Sequence, residues 1–262
     1  MKEVAALEIM PRFRLLAEGD IKEKSKNDFV TIADRRAEEW LTPRLEALVP
    51  GSRVLGEEAV ADDPARLDLV RDEDAVIWTV DPVDGTGNFV AGSETFGVMV
   101  ALIRQGISVQ GWIYLPVSKK LVTAERGGGC WLHQDGESRR LDSEGLSAPL
   151  DELRGSLNVN FMPPSWKERL LRFAEGVKRI PSENCSAFEY TLMAQGLKDF
   201  TTYYRMMPWD HAPGSLILEE AGGAIRSLET GLAYRPALLA MPYLLVRDAA
   251  RWEEVAKAIK AR

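Results

Sequence analysis

The stretch that decides how this chain folds reads Trp78-Thr79-Val80-Asp81-Pro82-Val83-Asp84-Gly85-Thr86-Gly87-Asn88-Phe89. The apolar run 75–80 predicts a buried strand that ends directly in Asp81 and Asp84, with Pro82 fixing the backbone between them. A Gly-Thr-Gly turn follows, and such a turn directs carboxylates and a backbone carbonyl at one cation while it exposes N–H groups to an anion. Asp-Pro and Asp-Gly are also ordinary turn formers, so either dipeptide alone would indicate only a turn.

Composition narrows the classes of function. The chain has 262 residues, 45% of them hydrophobic, and a net charge of −7, which suits a globular protein with a proper core. Its Lys and Arg residues are scattered, so we expect no nucleic-acid partner. No run approaches the ~20 uncharged apolar residues of a spanning helix, and residues 1–16 lack a signal-peptide pattern. No membrane partner is therefore expected. Because Cys130 and Cys185 fit no metal-ligand spacing, we expect two reduced thiols in a cytoplasmic protein.

Hydrophobic periodicity predicts helices mixed with strands. Thr31 and Asp34 have the spacing of a capping box at the start of a helix over 33–48. The acidic segment 62–74 predicts a solvated loop. Further strands are expected at 96–103 and 107–115, which form an antiparallel hairpin, and at 121–125, 156–161 and 200–204. Further helices are expected at 166–177, 188–196 and 212–221, with Asp210 just before the last of them.

Four segments resemble the signatures of one family, the inositol monophosphatases. The segments are DFVTIAD at 28–34, GEE at 56–58, DPVDGTGNF at 81–89, and WD at 209–210 with EAGG at 220–223. Taken singly, Glu57 and Glu58 suit a solvated surface, and Asp34 and Asp210 suit helix N-caps. Together and in this order, they resemble the family motifs D-x-V-T-x-x-D, GEE, DPxDGTxNF and WD…EAGG over nearly the whole chain.

The resemblance implies a magnesium-dependent, lithium-sensitive phosphatase with the layered α/β/α/β/α sandwich shared with fructose-1,6-bisphosphatase. It places the active site between an N-terminal α+β half, residues 1–140, with most metal ligands, and a C-terminal α/β half, residues 141–262, with Asp210 and the substrate-specificity elements. The polar stretch 133–149 predicts the boundary between them. A homodimer is the usual assembly of the family.

The resemblance also implies a set of metal ligands. Carried over residue by residue, these are the carboxylates of Glu57, Asp81, Asp84 and Asp210 and the backbone carbonyl of Val83. They would hold two or three Mg²⁺ ions, a hard cation that prefers oxygen donors. Zinc is disfavoured, because His133 and His211 have no partner at ligand spacing.

The implied reaction is in-line attack of a metal-activated water on phosphorus. In this mechanism Glu57 orients or deprotonates the water, and Thr86 and Asp34 assist. The backbone N–H groups of Gly85 and Thr86 bind the phosphate, with Asp84 also facing the substrate.

The segments that contact the substrate in the family differ in this sequence. Where relatives often have a small-residue segment such as G-[ST]-A-A against the polyol, this chain has Cys185-Ser186-Ala187, so Ser186 is expected to contact substrate. Arg205 stands nearest to a glutamate that accepts a substrate hydroxyl in inositol phosphatases. Arg205 either binds a second phosphate or carboxylate bidentately or is an ordinary surface arginine. Cys185 is either a small packing residue or a pocket-lining thiol.

The expected substrate is a phosphate monoester of a small polyol or sugar, similar to an inositol phosphate. The same chemistry would serve a 3'-phosphonucleotide, NADP, fructose bisphosphate or histidinol phosphate, because the metal motif is common to all of them. A different class, a catalytically silent relative with a regulatory or binding role, is opposed by the joint presence of Glu57, Asp81, Asp84, Thr86 and Asp210.

Overall fold

The structure is a computed structural model that describes residues 1–25, 28–143 and 145–261, without the side chains of Ser25 and Asp28. Asp28 of the DFVTIAD segment therefore has no described side chain. In these ranges the α-helices are α1 Lys2–Val4, α2 Ile32–Leu48, α3 Glu57–Asp62, α4 Thr86–Val90, α5 Pro164–Ala174, α6 Ser186–Ala194, α7 Pro208–Glu220 and α8 Trp252–Lys260. The strands are β1 Ile21–Ser25, β2 Asp28–Thr31, β3 Arg53–Gly56, β4 Ile77–Asp84, β5 Gly97–Arg104, β6 Ile107–Leu115, β7 Lys120–Glu125, β8 Gly129–Gln134, β9 Glu137–Leu141, β10 Arg154–Gly155, β11 Lys178–Arg179, β12 Phe200–Arg205, β13 Ala224–Ser227 and β14 Ala240–Val246.

Two large sheets, the antiparallel pair β1–β2 and three helical layers make up the described part of the fold. The larger sheet has the order β3-β4-β5-β6-β7-β8-β9, and the smaller one has the order β11-β10-β12-β14-β13. Helix α2 packs on the outer face of the larger sheet, α6 and α7 lie between the sheets, and α5 and α8 cover the smaller sheet. The predicted α/β/α/β/α sandwich is thus confirmed.

Strand β14 shows why the smaller sheet needs helices on both faces. Tyr243 and Leu245 belong to the core around α6 and α7, whereas Leu244 and Val246 belong to the core around α8. Successive side chains of a strand point to opposite faces, so an all-apolar strand must be covered on both sides. The larger sheet ends at Leu141 and the smaller one begins at Arg154; the division into halves at residue 140 stays a prediction.

Several local predictions are confirmed. Helix α2 begins with the capping box, in which Ala33 N donates to Thr31 Oγ1 and Thr31 N donates to Asp34 Oδ2. Strands β5 and β6 pair antiparallel as the expected hairpin. Cys130 and Cys185 are both buried and free.

Three local predictions were wrong. The segment 62–74 is not a plain loop, because α3 ends at Asp62 and a 3-10 helix follows over Pro64–Arg71. Residues 156–161 do not form a strand: only Arg154–Gly155 pairs, and the asparagines and prolines that follow disfavour a ladder. Helix α7 begins at Pro208, a residue suited to a first helical turn, so Asp210 lies inside that turn rather than before it.

Candidate active site

Parallel pairing of β3 with β4 brings the first two acidic residues together. Gly56 is the register partner of Val80, so the residues that follow, Glu57 and Asp81, emerge side by side. Asp210 approaches from the first turn of α7. One carboxylate oxygen from each of Glu57, Asp81 and Asp210 lies within 4.8 Å of the other two. Residues far apart in sequence therefore form one compact carboxylate cluster.

The glycine of the GEE segment has a steric reason. A Cβ at Gly56 would lie 2.2 Å from Cδ of Glu38, whose carboxylate accepts hydrogen bonds from Glu58 N at 2.9 Å and Ala59 N at 2.8 Å. Glu38 of α2 thus caps the start of α3, and burial raises its pKa to about 7. This contact fixes the helix turn that presents Glu57.

Lys24 of β1 also reaches this turn. Its Nζ lies 2.8 Å from Glu57 Oε1 and 3.1 Å from Glu58 Oε1, with its side chain 17% exposed. A fixed ammonium therefore already offsets part of the negative charge beside Glu57. No sequence pattern had singled out this lysine.

Asp84 is held mainly by the C-terminal half. Its Oδ2 accepts hydrogen bonds from Ala187 N at 2.6 Å and from Cys185 Sγ at 2.8 Å. Cys185 is buried, and a Cβ at Gly85, where φ is +85°, would lie 3.2 Å from its sulfur. Cys185 therefore packs closely beside this turn and orients a predicted metal ligand. Because it does not line the cleft, the structure favours packing over a pocket-lining thiol.

Thr86 and Asp34 form a buried link beside the cluster. Thr86 Oγ1 lies 2.9 Å from Val83 O and 3.1 Å from Asp34 Oδ1, so its single proton is shared between these acceptors. Asp34 Oδ2 accepts hydrogen bonds from Thr31 N and Thr31 Oγ1. Burial raises the pKa of Asp34 to about 6. The predicted assisting pair is thus in contact, and it touches the carbonyl of Val83.

Burial and the crowding of like charges both act on the carboxylates of the site. Burial, followed by the charges of Glu57 and Asp84, raises the pKa of both Asp81 and Asp210 well above the ordinary range. Burial likewise raises the pKa of Asp84 to about 6, against the opposing effect of its hydrogen bonds. A bound cation is the obvious means to relieve this repulsion.

The carboxylates lie in a cleft of about 770 Å³. We call Glu57, Asp81, Asp84, Thr86 and Asp210 its carboxylate end. The opposite wall, which we call the substrate end, contains Asn158, Asn160, Phe161, Tyr203 and Arg205. Gly85 and Ser186 also line the cleft, so every predicted site residue except the buried Asp34 and Val83 faces this space.

Sequence reasoning missed most of the substrate end. Asn158, Asn160 and Phe161 lie on an irregular segment that was predicted as a strand, and their Asn-x-Asn pattern was the available signal against that prediction. Tyr203, Tyr204 and Arg205 are consecutive at the end of β12 and all line the cleft, where the pairing of β12 with β14 is irregular between Tyr203 and Arg205. Asn88 and Asn184, at the side of the cleft, were also missed.

Arg205 is exposed and faces the cleft. Its guanidinium carbon lies 5.9 Å from the ring centroid of Phe161, and it forms no ion pair within the part of the chain that the structure describes. Its charge is close enough to favour the ionised form of Asp210. Of the two alternatives for Arg205, the geometry favours a pocket residue.

His211 forms a hydrogen bond with the backbone of the last residue of β12. Its Nε2 lies 3.2 Å from Arg205 O and its Nδ1 lies 3.0 Å from Tyr190 Oη. Because a carbonyl can only accept, Nε2 carries the proton and Nδ1 accepts from tyrosine. Burial lowers the pKa of His211 to about 3, which keeps the ring neutral. The residue next to Asp210 thus fixes the backbone of Arg205.

The donor set fits magnesium. Every side chain in the cluster offers carboxylate oxygen, and the nearby Val83 offers a carbonyl, which are the ligands that this hard cation prefers. Thiolate or imidazole ligands, which zinc sites favour, do not enter the cluster within the described residues.

Comparison with known proteins places the chain in a family. Residues 1–261 match the model of the inositol monophosphatase family. An inositol-1-monophosphatase of Mesorhizobium japonicum is 34% identical, over 79% of this chain and 75% of that protein. An inositol-1-monophosphatase of Bacillus subtilis is 30% identical, over 78% and 74%. The chain therefore belongs to the inositol monophosphatase family.

Solved structures agree with this assignment. The structure of an IMPase of Thermotoga maritima superimposes with a TM-score of 0.79 at 25% identity, covering 100% of this chain and 94% of that one.

Across the described ranges, none of the helices combines the length and hydrophobicity needed to span a bilayer.

Proposed function

We propose that this protein is a magnesium-dependent phosphatase that hydrolyses the phosphate monoester of a small polyol or sugar. The observation that carries the proposal is the convergence of Glu57, Asp81 and Asp210 within 4.8 Å at one end of a large cleft. Such a cluster is electrostatically unfavourable unless cations occupy it. Family membership supports phosphatase chemistry at this place.

The proposed ligands are Glu57, Asp81, Asp84, Asp210 and the carbonyl of Val83, which together would hold two or three Mg²⁺ ions. When bound, Mg²⁺ lowers the pKa of water and offsets charge on phosphate oxygens. All other steps fall to the chain itself.

The proposed roles are those that the family resemblance implies, and the contacts of the site support them. Glu57 orients or deprotonates the attacking water, and Lys24 limits the position of its carboxylate. Thr86 and Asp34 form a hydrogen-bonded pair that holds a proton beside the attack site. The turn at Gly85 and Thr86 receives the phosphate, and Ser186 faces the group that leaves with the ester oxygen. We expect a homodimer from the family pattern, and a cytoplasmic location because the chain has only two cysteines, both free.

A phosphate-release panel tests the proposal. The substrates are inositol 1-phosphate, fructose 1,6-bisphosphate, histidinol phosphate and 3'-phosphoadenosine 5'-phosphate, each with Mg²⁺ and with a chelator. Mg²⁺-dependent release from at least one substrate is expected. Absence of release from every monoester would instead favour a catalytically silent binding protein.

One observation favours a narrower substrate class, a monoester that carries a second anionic group. Arg205 offers the substrate end a guanidinium that has no ion pair among the described residues, and this group donates hydrogen bonds but cannot accept one from a polyol hydroxyl. Phe161 is 64% exposed beside it and presents a ring on which a planar group can stack. A bisphosphate or a phosphonucleotide would use one or both features, and the panel separates these from inositol 1-phosphate.

A further inference from the structure

A buried ion pair lies behind the substrate end. Lys198 Nζ is 2.5 Å from Glu189 Oε2, and the two side chains are 0% and 1% exposed. Taking two charges out of water is costly, and apolar residues of similar volume often stabilise a fold as well or better. Stability alone therefore explains this pair poorly.

The pair bonds to three consecutive residues of one loop. Glu189 Oε1 accepts hydrogen bonds from Glu183 N at 2.8 Å and from Ser182 Oγ at 3.1 Å. Lys198 Nζ lies 3.5 Å from Pro181 O. The carboxylate of Glu189 thus binds donors of the segment 181–183, and the ammonium of Lys198 binds an acceptor of the same segment. An apolar pair could do neither.

This loop leads directly into the cleft. The next residue, Asn184, lines the cleft with a left-handed φ of 51°, and Ser186 then begins α6. Asn88, next to the predicted phosphate turn, donates a hydrogen bond to Glu183 O at 2.9 Å. The loop is therefore held on one side by the buried pair and on the other by the side chain of Asn88.

The pair is also connected, through Ser156 and Thr201, to Asn158 of the substrate end. Ser156 Oγ lies 3.3 Å from both Glu189 Oε2 and Lys198 Nζ, and 2.9 Å from Thr201 Oγ1. Thr201 Oγ1 accepts a hydrogen bond from Asn158, a residue of the substrate end, at 3.2 Å. One buried pair thus connects to polar groups on two sides of the cleft.

We propose that Glu189 and Lys198 are positioning residues that hold Asn158, Asn184 and Ser186 in a fixed arrangement for the leaving group. The inference rests on the proposed function for the reaction, whereas the loop geometry does not depend on it. A small displacement of groups that bind substrate costs up to about 10²-fold in rate. Loss of the pair therefore weakens substrate binding while it leaves the carboxylate cluster intact.

The adjacent residue offers a matched control. Asp199 forms its own ion pair, with Oδ1 2.8 Å from Arg247 Nε and side chains 4% and 16% exposed. Its other oxygen accepts from Arg154 N, not from the loop 181–185. Asp199→Asn thus removes one carboxylate from a comparable pair without touching the proposed device.

The experiment compares Glu189→Gln and the double variant Glu189→Leu/Lys198→Leu with Asp199→Asn. We expect KM on the best substrate of the panel to rise at least about tenfold in both Glu189 variants, and KM of the control to stay within about twofold of the wild-type value. Amide hydrogen exchange over residues 182–187 should accelerate in the Glu189 variants and not in the control. Wild-type KM and exchange in folded Glu189 variants, or equal effects of the control, would overturn the proposal.

A milder variant and a second readout keep the test decisive. If the double variant does not fold, Ser182→Ala still removes one hydrogen bond to Glu189 and is expected to raise KM by a smaller factor, about twofold to tenfold; an unchanged KM would count against the proposal. If the wild type releases no phosphate from any substrate, the proposed function fails, and hydrogen exchange alone still decides whether the pair fixes the loop.

Discussion

The carboxylate end and the substrate end of the cleft are built in opposite ways. The carboxylate end rests on regular structure, with Asp81 and Asp84 on the fully buried β4 and Glu57 at a turn capped by Glu38. The substrate end is assembled from an irregular segment at 158–161, the end of β12 and the loop before α6. The proposed chemistry therefore rests on regular structure, and the proposed recognition rests on connections of the kind that tolerate change.

This difference predicts how variants will behave. A change at the carboxylate end should abolish turnover on every substrate, because all of them share the phosphate. A change at the substrate end should alter the ranking of substrates and leave the common chemistry in place. The predictions below run from the largest expected effect to the smallest.

Metal exchange should have the largest effect. We expect chelation to abolish phosphate release and Mg²⁺ to restore it, while Ca²⁺ competes without supporting turnover, because Ca²⁺ prefers more ligands at longer distances. Li⁺ should inhibit, as in the lithium-sensitive family that the chain resembles. Phosphate release is measured with each cation alone and in mixtures with Mg²⁺. Full activity in Ca²⁺ alone would mean that the ligand set is not tuned to magnesium.

Asp84→Asn should lower kcat by at least about 10²-fold on all substrates. Replacing a partner that only orients a metal ligand already costs about 10- to 100-fold, so a direct ligand should cost no less. The amide oxygen can still accept from Ala187 N, so the fold should persist. Thermal melting without metal should be unchanged or higher, since one of several crowded carboxylates is gone.

The control for this variant is Asp74→Asn, which changes an exposed aspartate just before β4. It should retain wild-type kinetics and melting. Near-normal turnover of Asp84→Asn would remove Asp84 from the ligand set, whereas a large fall in its melting temperature would point to a structural role.

The same difference between the two ends explains which features could be predicted from the sequence. The capping box of α2 and the β5–β6 hairpin follow from local patterns, which is why they were predicted correctly. The family resemblance grouped Glu57, Asp81 and Asp210 as ligands, and these three carboxylates lie together in the fold. Phe161 and Tyr203 reach the cleft only through tertiary packing, and no local spacing marks them. Lys24 and Glu38 act through contacts with residues 20 or more positions away along the chain, which a single sequence does not reveal.

Arg205→Glu should change specificity by about tenfold to a hundredfold. A charge-assisted hydrogen bond is worth about 1.5–3 kcal/mol, and its loss lowers kcat/KM for a substrate with a second anionic group by that factor. Inositol 1-phosphate should lose less or gain, because the new carboxylate can accept from a hydroxyl. The measurement is kcat/KM on both substrates, with Arg139→Glu as an exposed control outside the cleft lining. Equal effects on both substrates would place Arg205 outside substrate recognition.

Cys185 lies where the two ends meet, and its substitution should have the smallest effect. Its thiol donates to Asp84 Oδ2 at 2.8 Å, but a thiol is a weak donor and Ala187 N holds the same oxygen at 2.6 Å. Removing the thiol should therefore cost about 0.5–1.5 kcal/mol, or about twofold to tenfold in kcat. Cys185→Ala removes the donor, whereas Cys185→Ser retains one in a side chain of similar size. If the thiol orients Asp84, the serine variant should keep more activity than the alanine variant and need less Mg²⁺ for half-saturation. If it only fills space beside Gly85, the alanine and serine variants should show the same Mg²⁺ dependence, and the orientation of Asp84 would then depend on the backbone of α6.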